Sequence, residues 1–124
     1  MTTATVAQSA VEYFSAKLAF ETTPHSLKNE LDKNNVYLLD VRDVESFNKE
    51  HIVGANNIPM ELLSAKLATL PKNMTIVTYC WNIVCFGAPK AALQLAEKGF
   101  KVQMLLGGIQ EWKNLGFKVE STKA

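Results

Sequence analysis

Cys80 and Cys85, five positions apart, lie between an apolar run and a helical pattern, and no residues of this chain are better placed to do chemistry. The run Met74 to Tyr79 reads as a strand and Gly87 to Lys98 as a helix, so Cys80 is delivered to the loop that opens that helix. The amides of Trp81, Asn82, Ile83, Val84, Cys85, Phe86 and Gly87 are expected to lack partners of their own there, and so to cradle a thiolate or an oxyanion. A helix N-terminus favours a nearby anion by about 0.3–1 kcal/mol, and by up to ~2 in partly buried geometry. At ~1.36 kcal/mol per pKa unit, a thiol of pKa about 8.5 falls to roughly 7–8, which supplies a useful thiolate fraction without a neighbouring base. Cys80 is therefore the candidate nucleophile. The competing reading, a small buried hydrophobe at the end of a strand, is the common fate of a lone cysteine. Cys85 reads as a possible resolving thiol that attacks an oxidised Cys80, with packing beneath the loop as its alternative. His25 and His51 complete no Cys-x2-Cys or His-x3-His spacing, so neither a metal site nor a cofactor is expected.

The elements that hold this loop follow from hydrophobic period and punctuation. Val6, Ala10, Phe14 and Leu18 recur at helical spacing and predict an amphipathic helix from about residue 5 to 18. Thr23 followed by Pro24 predicts the start of a second helix, through Leu31. Val36 to Leu39 is the kind of short apolar run that a buried parallel strand shows. Residues 43–49 read as a helical turn, 55–58 as a short strand, and 60–67 as a helix stopped before Pro71. In the helix after the cysteine loop, Ala91, Ala92, Leu95 and Ala96 should face inward, and Gly99 should end it. Val102 to Leu106 is the next strand and Ile109 to Leu115 the last helix, with Gly107-Gly108 as a tight turn and Trp112 packed beneath it. Such alternation predicts a doubly wound α/β architecture whose ligands bind beyond the C-terminal ends of the strands, where Cys80 lies.

Composition narrows the class. A chain of 124 residues, 48% hydrophobic with a net charge of +1, can bury one core and has no charge excess to suggest nucleic acid or a membrane surface as partner. Met1 to Ala10 has neither a basic n-region nor an unbroken apolar run, and nothing approaches the ~20 apolar residues of a membrane span. The cytoplasm is the expected compartment, where a cysteine pair is more often reactive than structural.

The set Val36-Tyr37-Leu38-Leu39-Asp40-Val41-Arg42, Glu45, Phe47, His51-Ile52-Val53-Gly54-Ala55, Asn57-Ile58-Pro59, the Cys80 loop, and Gly107-Gly108-Ile109-Gln110-Glu111-Trp112 resembles the rhodanese-like (sulfurtransferase) domain over about residues 20 to 119. The resemblance implies one domain over residues 20–124, behind a helical extension of residues 1–19, with a mostly parallel five-stranded sheet flanked by helices on both faces. It implies a Cys80 persulfide that carries a sulfane sulfur from a donor to cyanide or another thiol, a sulfur-relay protein being a possible partner. It implies that Asp40 and Arg42 support the site. On physical grounds Arg42 should bond a carboxylate such as Glu45 bidentately, and His51 should be structural.

The loop departs from the simplest family pattern. It is longer than six residues and holds no Lys or Arg, which argues against small dianionic donors. The related Cys-x5-Arg phosphatases and arsenate reductases need an arginine where this chain has Phe86, so phosphate chemistry lacks its bidentate contact. The other alternative is a catalytically weak interaction or sulfur-sensing module that docks a partner through Trp81, Ile83, Val84 and Phe86.

Overall fold

The computed structural model describes residues 3–122. Its elements are α1 (Thr3–Phe20), β1 (Glu21–Thr22), α2 (Pro24–Asp32), β2 (Val36–Asp40), α3 (Val44–Lys49), β3 (His51–Ile52), β4 (Asn56–Asn57), a 3-10 helix (Met60–Thr69), β5 (Thr75–Tyr79), α4 (Gly87–Glu97), β6 (Val102–Leu105), α5 (Gly108–Asn114) and β7 (Val119–Glu120). Five strands form one sheet in the order β1-β6-β5-β2-β4, and every pairing in it is parallel. β3 and β7 make a separate antiparallel pair.

Strand period two explains the two-sided core. Leu39, Ile76 and Cys80 fall in one buried cluster with Ala88, Ala91, Leu95 and Leu63, on the face covered by α4 and the 3-10 helix. Their neighbours Leu38, Val77 and Tyr79 fall in the other, with Leu27 of α2 and Ile109 and Trp112 of α5. The expected sheet with helices on both faces is thus present. Local signals behave as read: the Thr23 hydroxyl accepts from the Ser26 amide at 3.3 Å, Pro24 opens α2, and Gly99 follows α4 with its amide on Ala96 O at 3.0 Å.

Four expectations are corrected. The helix expected over 60–67 is of 3-10 type, extends over residues 60–69, and reaches the core chiefly through fully buried Leu63. The strand expected over residues 55–58 shrinks to Asn56–Asn57. In α4, Ala92 is only half-buried and Ala96 is exposed, because the helix meets the sheet along Ala88, Ala91 and Leu95. α1 is helical as expected, yet Val6, Phe14 and Leu18 are exposed, since α1 packs chiefly against the sheet edge at β1 and β6. Trp112, fully buried, donates to Lys118 O at 2.8 Å and packs on Phe117.

Candidate functional site

Cys80 leaves the end of β5, a central strand, and its carbonyl accepts from the Ile109 amide at 3.0 Å while the Trp81 carbonyl accepts from Gln110 at 2.9 Å. Those two bonds seat the loop on the start of α5. They require Gly108: a Cβ there would lie 2.6 Å from the Cys80 oxygen and 2.6 Å from the Trp81 carbonyl carbon, and its φ is +61°. On the other side the Thr78 hydroxyl donates to Ala88 O at 2.9 Å, which fixes the first turn of α4 over the strand end. Gly87 of that turn lies against the sulfurs. A Cβ at Gly87 would stand 3.2 Å from Cys80 Sγ and 3.6 Å from Cys85 Sγ.

The two sulfurs are joined in a disulfide, with Cα atoms 6.4 Å apart, inside the span a bridge permits. Asn82 shapes the turn between them: its side-chain oxygen accepts from Val84 N at 3.1 Å and its carbonyl from Cys85 N at 3.2 Å. Two of the seven amides expected to serve as a cradle are therefore spent inside the loop. Those of Trp81, Asn82, Ile83, Phe86 and Gly87 have no partner among the described residues, nor does that of Ala88. Ile83, Val84 and Phe86 are 74%, 74% and 71% exposed. Beside the sulfurs, a cavity of about 450 Å³ is bounded by Cys80, Cys85, Phe86, Pro89 and Met104, and on its outer side by α1.

Trp81 does something its apolar character did not suggest. Its ring lies 4.5 Å from the Arg42 guanidinium carbon and covers that buried cation. Arg42 bonds Asp40 through Nε at 3.0 and 3.1 Å and Nη2 at 2.7 Å, and Nη2 also donates to Glu50 O at 2.6 Å. The expected partner Glu45 is excluded because it stands on the outward face of α3, 3.7 Å from Lys49. Asp40, two residues before Arg42 on the same chain end, reaches the guanidinium without crossing solvent. Burial alone would lower the Arg42 pKa, but the Asp40 hydrogen bonds and charge raise it above its ordinary value, so the cation stays protonated. Nη1 has no hydrogen-bond partner among the described residues. Asn57 Nδ2 completes the frame by donating to Asp40 O at 3.0 Å and Arg42 O at 2.9 Å. Tyr79, buried beside them, accepts from the Ile52 amide at 3.1 Å, and its phenol pKa is pushed far up by burial and by the Asp40 charge.

His51 stands apart from the sulfurs' surroundings. Its Nδ1 meets Phe47 O at 2.8 Å, its Nε2 meets Glu120 at 3.1 Å, and Phe47 stacks on its ring. It ties β7 to the body of the chain. No cluster of three His, Cys, Asp or Glu side chains among the described residues could hold a metal ion.

A model of the rhodanese-like domain matches residues 23–115. The chain belongs to this family. It is 33% identical over 82 residues to the thiosulfate sulfurtransferase GlpE of Coxiella burnetii, covering 65% of this chain and 75% of that protein. It is 37% identical over 89 residues to the HTH-type transcriptional regulator Rv0324 of Mycobacterium tuberculosis, covering 72% of this chain but only 39% of the regulator's length. Among solved structures, the BH2092 protein of Bacillus halodurans superposes with a TM-score of 0.85 at 36% identity, over 93% of this chain and 86% of that one. In this rhodanese-like domain the Asp40–Arg42 pair and the cysteine loop meet through Trp81. The sequence gives no spacing rule for that contact, since it joins two loops 39 positions apart.

Proposed function

We propose that this rhodanese-like domain is a sulfurtransferase in which Cys80 takes a sulfane sulfur as a persulfide and passes it to a thiophilic acceptor such as cyanide or another thiol, a sulfur-relay protein among them. The observation that carries the reading is the position of the Cys80 sulfur, at the end of a central strand, against the first turn of α4, on the wall of a 450 Å³ cavity. The likeness to a thiosulfate sulfurtransferase supports it. Chemically, the Cys80 thiolate attacks the outer sulfur of the donor, the donor's sulfur–sulfur bond breaks, and its electron pair leaves on the carrier. An acceptor then attacks the outer sulfur of the persulfide, and the Cys80 thiolate returns. Amides of Phe86, Gly87 and Ala88, free among the described residues, are the groups proposed to steady the negative charge.

Cys85 acts as the resolving thiol in this reading. The Cys80–Cys85 disulfide is the oxidised, resting form, and a reducing thiol must give it two electrons before sulfur transfer begins. The cytoplasm, with its thiol pool, is the compartment proposed. Asp40 and Arg42 position the loop through Trp81. The rhodanese-like domain is taken as residues 20–124, and residues 1–19 as its helical extension.

A second reading has its own support: exposed Ile83, Val84 and Phe86 suit a docking surface on a catalytically weak interaction or sulfur-sensing module. One experiment separates the two. The chain is reduced, freed of reductant and incubated with a persulfide donor, and its intact mass should rise by about 32 Da, reversibly with cyanide and not in Cys80→Ser. An unchanged mass for the reduced native chain would remove the enzyme reading, and the same gain in Cys80→Ser would overturn the assignment of Cys80 as the nucleophile.

A further inference from the structure

The loop carries no cation, yet the cavity it borders does. α1 closes the outer side of that cavity with Tyr13 and Lys17, one helical turn apart, and Glu21 of β1 follows them. Lys17 Nζ donates to both Glu21 oxygens, at 2.9 and 3.0 Å. The two side chains keep 41% and 24% of their surface, and they are the only charged groups among the described residues that line the cavity. We infer that α1 is a wall of the substrate site, and that Lys17 and Glu21 select a low-molecular-mass persulfide whose carrier bears both a carboxylate and an ammonium group, an amino-acid or short-peptide persulfide, over thiosulfate.

Charge and volume both point this way. A zwitterionic head can set its carboxylate on Lys17 and its ammonium on Glu21, so each charge exchanges one opposite partner for another. Thiosulfate, a compact dianion, gains from Lys17 but is repelled by Glu21, and the paired charges leave it no net attraction. Its size is also wrong for a cavity of about 450 Å³, which falls in the range that organic ligands fill. The Glu21 hydrogen bond raises the Lys17 pKa above its ordinary value, so the ammonium is present throughout the neutral range. α1 is held where this requires: Gln103 Nε2 of β6 donates to Ala19 O at 3.2 Å, and Glu21 pairs with Met104 at the site end of β6.

The inference rests on the sulfurtransferase reading. In the step it describes, Cys80 as thiolate takes the outer sulfur of R–S–SH, the donor's sulfur–sulfur bond breaks, and R–S⁻ leaves, its carboxylate and ammonium still on Lys17 and Glu21. No electrons are needed beyond those of the thiol that first opens the disulfide.

The test is steady-state transfer to cyanide by the reduced full chain, with glutathione persulfide and with thiosulfate as donors. Glu21→Gln should raise KM for glutathione persulfide and lower it for thiosulfate, each by about tenfold, the size of one charge-assisted contact. The change should fall on KM rather than kcat. Lys17→Gln should raise KM for both donors, and Lys17→Arg should restore most of the affinity, which a variant that merely loosened α1 would not do. Helicity by circular dichroism checks that α1 persists. If Glu21→Gln shifts neither KM, or shifts both in one direction, the pair is a helix ion pair and the inference falls while sulfur transfer stands. If the native chain takes sulfur from neither donor, the sulfurtransferase reading falls and takes this one with it.

Discussion

Two loops leave the C-terminal end of the sheet side by side, and they are built in opposite ways. The one after β2 is buried and polar: Arg42, Asp40 and Asn57 fill it with hydrogen bonds between 2.6 and 3.1 Å. The one after β5 is exposed and apolar at Ile83, Val84 and Phe86, and it is held by a disulfide, one asparagine and two carbonyls capped by α5. The first can hardly move without stranding a charge. The second leaves its apolar side chains in solvent and is closed covalently by the disulfide. The two loops touch where the Trp81 ring lies over the Arg42 guanidinium.

The contrast predicts a steep gradient of mutational cost. Asp40→Ala should be the most damaging change, since it leaves the Arg42 cation buried and unpaired; a loss of about 3–5 kcal/mol in denaturant unfolding is expected. A loss below ~1 kcal/mol would mean that the frame is less rigid than its hydrogen bonds suggest. Next comes Gly108→Ala, where the added methyl meets backbone on which both loop carbonyls depend. It should cost about 1–3 kcal/mol, and peptide mapping should show Cys80 alkylated faster after reduction. On the exposed side, the double change Ile83→Ser and Val84→Ser should alter stability by no more than ~0.5 kcal/mol per site. A larger loss would show that the loop packs against something, and would erase the contrast.

The smallest effect is electrostatic and lies on the buried side's outer rim. Asp43 caps α3 by accepting the Ser46 amide at 2.7 Å, and that backbone hydrogen bond lowers its pKa below the ordinary carboxylate value. A group depressed in the folded state stabilises above its unfolded pKa of about 3.9, and that stabilisation is lost as pH falls through the lower folded value. Asp43→Asn keeps a capping oxygen that does not titrate. Its melting temperature should therefore fall less steeply than the native one below about pH 4.

Much of this could be read from the residues because the signals were local. Thr23-Pro24, the runs ending at Leu39 and Tyr79, and the helix opened by Gly87 each declare themselves within a few positions. What could not be read lies in contacts without a period. β1, β3 and β7 have two residues each, too few for alternation to register. The partner of Arg42 turned on which carboxylate was buried, not which was near, and Asp40 beat Glu45 on that account. α1 was recognisable as a helix, but its pattern promised a buried face that the sheet edge is too narrow to cover. The same edge position brings Lys17 to the sulfur cavity, which no spacing in the sequence would reveal.

The brevity of the outer strands also bears on how the molecule behaves in a crowd. β1 and β4, at the two margins of the sheet, are two residues long, and side-chain amides work where they run out: Asn56 Nδ2 donates to Leu38 O at 3.4 Å beside β4, and Gln103 Nε2 donates to Ala19 O beside β1. A stranger's extended segment would find no long ribbon of free amides and carbonyls on which to polymerise. The fold therefore carries its own guard against edge-to-edge fibre growth along both flanks of the sheet.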